Sequence, residues 1–122
     1  VDGDTTVIEN TDYSLVHDFT LGEATIDKEF DLAWCTEFLE HVEEKYIPNY
    51  MPLFEKGKMA VVTAAPPGWP GHHHVNCREE SYWVDIFKNY GLRYSEELTN
   101  EFKGLSQMRK NFFKRAGMVF LK

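Results

Sequence analysis

Residues 59–65 read MAVVTAA, an uncharged run of small and β-branched residues, and the loop that follows reads PPGWPGHHHVN. An apolar run of this length that stops at prolines and a glycine is typical of a buried β-strand. The largely apolar run FDLAWC at residues 30–35 predicts a second strand of the kind that is covered on both faces. The chain is therefore predicted to fold around a sheet with helices packed against it.

Helical spacing appears between these two strands. Apolar residues recur at three- and four-residue steps from Glu43 to Phe54, which predicts a helix. Pro48 and Pro52 should kink or split this helix, and Gly57 is placed to cap its end. The alternation of strand and helix predicts an α/β fold with a mainly parallel sheet.

A second helix is predicted after the histidine-rich loop. Asn76 and Glu79 have the spacing of a capping box, the aromatic residues that follow share one helical face, and Gly91 should stop the helix. Further elements are predicted as strands at 13–17, 92–94 and 117–122 and a weaker helix at 95–109. With 122 residues and 14.3 kDa, residues 1–122 are predicted to form a single domain.

Charge and composition narrow the classes of partner. Thirteen basic against twenty acidic residues give a net charge of -7, which argues against nucleic acid as the main partner. No apolar run approaches the roughly 20 residues of a membrane span. Cys35 and Cys77 lie far apart in the sequence and predict reduced thiols in a cytoplasmic protein. The chain opens on VDGD without a methionine, so we expect a fragment of a longer protein.

Polar residues follow the predicted strands at the edge where open α/β sheets bind ligands. An acidic residue directly after a strand, such as Asp2, suits the two hydroxyls of a ribose. Asp18 beside Phe19 suits an adenine, because the carboxylate can accept from the exocyclic amine while the ring packs against the base. This edge of the sheet is therefore the predicted site.

The series VDGD, VHDFT, FDLAWCTEFLEHV and MAVVTAAPPGW, followed by a histidine-containing stretch and a helix that ends in glycine, resembles the class I S-adenosylmethionine-dependent methyltransferases. The segment at residues 30–42 is the strongest part of the resemblance. The resemblance implies a three-layer Rossmann-like α/β sheet, mostly parallel with a final antiparallel strand and truncated at the N-terminus. No G-x-G-x-x-G motif occurs in the sequence, and the resemblance would place that cofactor-binding loop before Val1.

The resemblance also implies roles for residues around the cofactor S-adenosyl-L-methionine. Asp2 matches the acid that binds the ribose hydroxyls. Asp18 matches the acid at the adenine amine, with Phe19 flanking the ring. Cys35 and Thr36 would line the methionine side of the cofactor.

The acceptor side is predicted to lie around the histidine-rich loop. His74, which is nearest the start of the next helix, and His41 are the candidate catalytic bases, because a histidine titrates near neutral pH. The candidate acceptor-binding residues are Glu37, Trp69, His72 and His73. The predicted activity is methyl transfer to an unidentified acceptor, either a small molecule or a macromolecule.

Other interpretations remain open at this stage. The chain could be a truncated, non-catalytic binding module that keeps the fold. A metal site is a further alternative, but no recognised spacing joins the three adjacent histidines to Cys77 or His41, so no metal ligand is assigned. Trp69 could stack on an acceptor ring or cover the sheet edge.

Two expectations concern surfaces. The acidic run Glu37, Glu40, Glu43 and Glu44 predicts a solvated helix face. A sheet that lacks an inner strand exposes an apolar edge, and we therefore expect homo-oligomers or a rearranged strand.

Overall fold

The computed structural model of the chain describes Val1 and residues 15–122. Asp2, the predicted ribose-binding acid, lies outside the described residues. The strands are β1 (Phe30–Cys35), β2 (Gly57–Thr63), β3 (Arg93–Tyr94) and β4 (Gly117–Leu121). The α-helices are α1 (Ile47–Glu55), α2 (Glu80–Asn89), α3 (Glu96–Leu105) and α4 (Phe112–Ala116), and two 3₁₀ turns, Leu39–His41 and Glu44–Tyr46, join β1 to α1.

The four strands form one open, mixed sheet in the order β1-β2-β4-β3. β1 and β2 are parallel, whereas β4 is antiparallel to β2 and to β3. The α/β class is thus confirmed, and the last strand is antiparallel as predicted. β1 to β2 is the only parallel pairing in the described part of the chain, because β4 lies between β2 and β3.

Helices cover both faces of this sheet. On one face, α1 and α2 contribute Tyr50, Met51, Trp83 and Phe87 to the main core, which also contains Phe120 of β4. On the other face, a smaller cluster joins the sheet to α3 and α4; its members are Val61, Val119, Phe113, Met59, Leu98, Phe102 and Phe112. The central strands β2 and β4 are therefore buried from both sides, as their apolar sequences require.

The first predicted helix is divided directly before Pro48, whereas Pro52 does not interrupt it. A 3₁₀ turn precedes α1, Pro48 lies in its first turn and Pro52 lies inside it. The prediction that Gly57 caps this helix is wrong, because Lys56 is the C-cap and Gly57 is the first residue of β2. A Cβ at position 57 would lie 3.2 Å from the Cβ of Ala33, so a glycine allows the close approach to β1.

The capping box predicted at Asn76 and Glu79 is also wrong. α2 begins at Glu80, and its N-cap Glu79 makes no side-chain cap hydrogen bond. Asn76 is instead buried, and its Oδ1 accepts a hydrogen bond from Arg78 Nε at 3.0 Å. The stop at Gly91 is confirmed, since this glycine has the left-handed φ of +79° that ends a helix.

The remaining predictions are met in part. The last strand and the short strand at 92–94 are confirmed as β4 and β3, and the weak helix at 95–109 is the shorter α3. Within 15–17, the described part of the strand predicted at 13–17, no strand forms. No helix among the described residues has the length and apolar character needed to cross a membrane.

The outer edge of β1 has no partner strand among the described residues, and it carries three exposed apolar side chains. Phe30, Leu32 and Trp34 are 37%, 46% and 55% exposed. Because an unpaired apolar edge promotes association, we expect copies of the chain to self-associate. The variant Leu32→Lys should shift the protein toward monomer in light scattering, whereas Leu105→Lys, at an exposed position on α3, should not. A wild-type chain that stays monomeric at all concentrations would contradict this expectation.

Candidate functional site

The carboxyl ends of β1 and β2 lie side by side, and the segments that follow them enclose a cavity of about 370 Å³. We call it the histidine cavity. Its lining residues are Glu37, His41, Ala65, Trp69, Pro70, Gly71, His72, His74, Phe112 and Ala116. Five of the predicted catalytic and acceptor-binding residues are therefore brought together: Glu37, His41, Trp69, His72 and His74.

Glu37 is fixed at the junction of the two strands. Its backbone has a φ of +55°, in the left-handed region that few non-glycine residues adopt. Its N–H donates to Thr63 Oγ1 at 2.9 Å, and the Thr63 hydroxyl donates to the Glu37 carboxylate at 3.4 Å. Thr63, the last residue of β2, is fully buried and was not predicted from the sequence. These two bonds hold the start of the β1 loop against the end of β2.

Glu40 is the site residue whose position the sequence did not reveal. The solvated face predicted for the acidic run is wrong for Glu40, which is 0% exposed. Its backbone carbonyl accepts from the N–H groups of Val75 and Asn76 at 2.9 and 3.0 Å, and its Oε1 accepts from Ala65 N–H at 3.2 Å. Glu40 thus fixes both ends of the loop that carries the histidines.

The electrostatic state of Glu40 follows from this burial. Removal from water raises the pKa of the Glu40 carboxyl, and the nearby carboxylate of Glu37 adds to the increase, while His41 opposes it. Oε2 has no hydrogen-bond partner within the described part of the chain. A buried carboxylate oxygen without a partner is costly, so this position is suited to a proton or a cation.

His41 and His74 share one hydrogen-bonding arrangement. His41 Nδ1 lies 3.1 Å from the carbonyl oxygen of His73, and His74 Nδ1 lies 3.1 Å from that of Trp69. A carbonyl oxygen can only accept, so each Nδ1 carries the proton. In the neutral rings each Nε2 therefore keeps its lone pair. The two ring centroids are 5.0 Å apart, so two basic nitrogens are available at one wall of the cavity.

Gly71 determines where the His74 ring can lie. A Cβ at position 71 would be 2.1 Å from His74 Nε2 and 2.2 Å from its Cε1, closer than any real contact. The ring therefore packs directly against the Gly71 backbone. Any side chain at this position would displace the imidazole.

Trp69 is neither free to stack on both faces nor only a cover for the sheet edge. The Arg115 guanidinium lies over its ring, 4.1 Å from the centroid, a cation–π contact between the loop and α4. The indole still lines the histidine cavity. Arg115 was not among the predicted site residues.

The other two histidines are placed differently. His72 is exposed at the rim of the histidine cavity. His73 has a left-handed φ of +54°, and it lines a separate cavity of about 190 Å³ together with His41, Asp18 and Phe19. The contribution of His73 to the histidine cavity is thus its backbone carbonyl, which orients His41.

The predicted cofactor residues do not converge on one open pocket. Asp18 is exposed, and hydrogen bonds from Thr20 lower the pKa of its carboxyl; the Thr20 N–H donates to Asp18 Oδ1 at 2.8 Å. Phe19 is buried, and its ring packs edge-on against Phe38 and Tyr50. Phe19 thus packs in the main core and also lines the two crevices beside it.

Cys35 is the last residue of β1 and Thr36 follows it, so both lie at the carboxyl edge of the sheet, as predicted. Burial raises the pKa of the Cys35 thiol to about 12, so the thiol is protonated and unreactive at neutral pH. Cys35 lines a crevice of about 240 Å³ with Phe19 and the exposed side chains of β1. Cys35 and Cys77 are both free thiols.

Comparison of the chain with protein-family models, curated proteins and solved structures finds no match.

Proposed function

We propose that this chain belongs to an S-adenosylmethionine-dependent methyltransferase and contributes the acceptor side of its site. The observation on which the proposal depends is the histidine cavity. It gathers Glu37, His41, Trp69, His72 and His74 beyond the carboxyl ends of two adjacent parallel strands, the edge at which open α/β sheets bind ligands.

The sheet gives a second line of support. The resemblance implies a mostly parallel sheet with a final antiparallel strand, and β4 is such a strand. Helices on both faces agree with a three-layer arrangement. Fold alone does not define chemistry, so the proposal depends on the site rather than on the sheet.

The described residues fit one wall of a cofactor site. Asp18 is exposed and ionised at neutral pH, as an acceptor for an adenine amine requires. Thr36 and the Cys35 crevice would border the methionine end. The crevices of about 240 and 190 Å³ are each smaller than the roughly 300 Å³ at which ligand pockets usually begin. When bound, the cofactor supplies an activated methyl group, and the protein needs mainly to align the acceptor.

The remaining chemistry falls to the histidine cavity. The Nε2 atoms of His41 and His74 are oriented by their Nδ1–H bonds and can take a proton from an acceptor oxygen or nitrogen. The rigid Glu37 junction sets one wall, and the Trp69 ring, held by Arg115, offers an apolar surface for the acceptor. Glu37 lines the histidine cavity, and Asp18 lines the proposed cofactor side. Acidic residues at both places suit the positively charged sulfonium of the cofactor.

The proposal is tested by titrating the ¹⁵N-labelled chain with S-adenosylhomocysteine and following backbone amide shifts. We expect saturable shifts at residues 18–20 and 35–37, with a dissociation constant weaker than about 100 µM because the described wall encloses little of the ligand. Asp18→Asn should weaken binding about threefold to tenfold, because a neutral acceptor replaces a charged one in a hydrogen bond, at a cost of about 1 kcal/mol.

Asp31→Asn is the matched control, because Asp31 is an exposed acid near the opposite end of β1, paired with Lys58. It should leave the titration unchanged. Affinity in the micromolar range would contradict the inference that the wall is incomplete. An absence of saturable shifts at residues 18–20 and 35–37 would overturn the methyltransferase proposal in favour of a non-catalytic binding module.

A further inference from the structure

Three potential metal ligands lie together at the wall of the histidine cavity. One ligand atom each from Glu40, His41 and His74 lies within 4.8 Å of the other two. We propose that these residues bind a divalent transition-metal ion, and that the ion is zinc. Two imidazoles and one carboxylate, with a fourth position left open, form a donor set that zinc sites use.

The spacing of the three groups is close to that of a formed site. Zinc bonds of about 2.0–2.2 Å in tetrahedral geometry place neighbouring ligand atoms about 3.4 Å apart. The ligand atoms, which lie within 4.8 Å of one another, therefore have to approach by at most about 1.4 Å, which side-chain rotations can supply. His41 and His74 are part-buried and Glu40 is fully buried, so the ligands are partly preorganised.

Each proposed ligand also makes a hydrogen bond to the backbone, as metal ligands in proteins usually do. His41 Nδ1–H and His74 Nδ1–H donate to backbone carbonyls, which leaves Nε2 of each ring as the coordinating atom. Glu40 Oε1 accepts from the backbone N–H of Ala65. Outer-shell bonds of this kind fix the tautomer and orientation of coordinating imidazoles and carboxylates.

The unpartnered oxygen of Glu40 is the independent observation that points to a cation. Glu40 is 0% exposed, and its Oε2 finds no hydrogen-bond donor among the described residues. A bound ion would supply the missing partner and would stabilise the ionised carboxylate.

The sequence-level objection to a metal site does not apply to this cluster. Three adjacent histidines cannot converge on one ion, but only His74 of that run takes part, and Glu40 and His41 come from the segment after β1. His72, His73 and Cys77 are not needed. The ligands thus come from two separated elements, as zinc sites usually require.

The proposed ion would lie between the histidine cavity and the protein interior. His41 and His74 line the cavity, whereas Glu40 lies in the interior, so the uncovered side of the ion would face the cavity and take water or a ligand oxygen. A metal on the two Nε2 atoms would prevent them from taking a proton, so zinc binding and the base role proposed for His41 and His74 are alternatives. The metal proposal does not depend on methyl transfer, because its test uses neither cofactor nor acceptor.

The test is calorimetric titration of the metal-stripped chain with zinc at pH 7.5, together with the visible spectrum of the cobalt(II) form. We expect one ion per chain and the absorption bands of four-coordinate cobalt. Affinity should fall as the pH is lowered, because protons compete with the metal for its ligands. Glu40→Gln, His41→Ala and His74→Ala should each weaken zinc binding by at least about 100-fold, more than the loss of an outer-shell partner.

His72→Ala is the matched control, because it removes a histidine from the same loop and cavity but not from the cluster. Its zinc affinity should equal that of the wild type. Gly71→Ala, which displaces the His74 ring, should reproduce the loss seen with His74→Ala. Absence of stoichiometric binding by the wild type, or equal affinity in the His72→Ala and His74→Ala variants, would overturn the proposal. Because the first of these outcomes needs no variant, the proposal stays testable even if a variant fails to fold.

Discussion

Replacing Phe87 with alanine is expected to lower the free energy of unfolding by about 3–5 kcal/mol. Phe87 is 0% exposed, and its ring stacks on Phe120 of β4 with centroids 4.1 Å apart and planes at 10°. It also meets Phe54 of α1 edge-on at 5.1 Å. The truncation would leave a cavity where α1, α2 and the sheet meet, and neighbouring aromatic rings could refill it only in part.

The measurement is urea unfolding followed by circular dichroism. Phe30→Ala is the control of equal side-chain size, since Phe30 lies at the exposed edge of β1, and it should cost less than about 1 kcal/mol. If the Phe87 and Phe30 variants lost similar stability, the packing of α2 on the sheet described above would be incorrect.

Glu40→Gln is expected to change how stability depends on pH. Because burial raises the pKa of the Glu40 carboxyl in the folded chain, the unfolded chain ionises first as the pH rises. The stabilising contribution of the protonated group is complete below the unfolded-state pKa of about 4.3 and is lost as the pH rises through the folded-state value. Between these two pKa values, the free energy of unfolding falls by about 1.4 kcal/mol for each pH unit.

Metal-free wild type should therefore lose stability relative to Glu40→Gln as the pH rises from about 4 to neutral, and the difference should then level off. Burial and, to a smaller extent, Glu37 raise the pKa of this carboxyl, whereas backbone hydrogen bonds at Glu40 and Ala65 and the nearby His41 lower it. Glutamine keeps the oxygen that accepts from Ala65, so the comparison isolates ionisation. Unfolding curves for both proteins across this pH range provide the measurement, and a difference independent of pH would show that Glu40 ionises normally.

The elements that the sequence predicted are those with a local signal. β2 follows from MAVVTAA and β1 from FDLAWC, because apolar runs of this length favour strands. The prediction that β1 is covered on both faces is wrong, because β1 lies at the edge of the sheet and exposes Phe30, Leu32 and Trp34. The stop of α2 follows from Gly91, which takes its left-handed φ at little cost. The five-residue helix α4 was not predicted, since so short a segment gains its stability from packing Phe113 rather than from its own sequence.

The part of the site that escaped prediction depends on contacts far apart in the chain. Glu40 reads as one more acid in a polar run, and its burial arises only because residues 65 and 75–76 fold back onto it. Its place in FLEHV, between Leu39 and Val42, was the available signal. The proximity of His41 to His74, by contrast, could be predicted from the sequence, because both residues follow strands that end at the same edge of the sheet.

The position of β4 has a consequence for how the chain is made. β2 lies at the centre of the sheet, yet its inner neighbour β4 follows it by roughly sixty residues, so Val61 stays without Val119 until nearly all of this segment has left the ribosome. At about 5–20 residues per second, that delay is several seconds. During this interval the apolar strand at residues 57–63 is a target for chaperones and for aggregation, and translation speed downstream of it should affect the yield of folded protein.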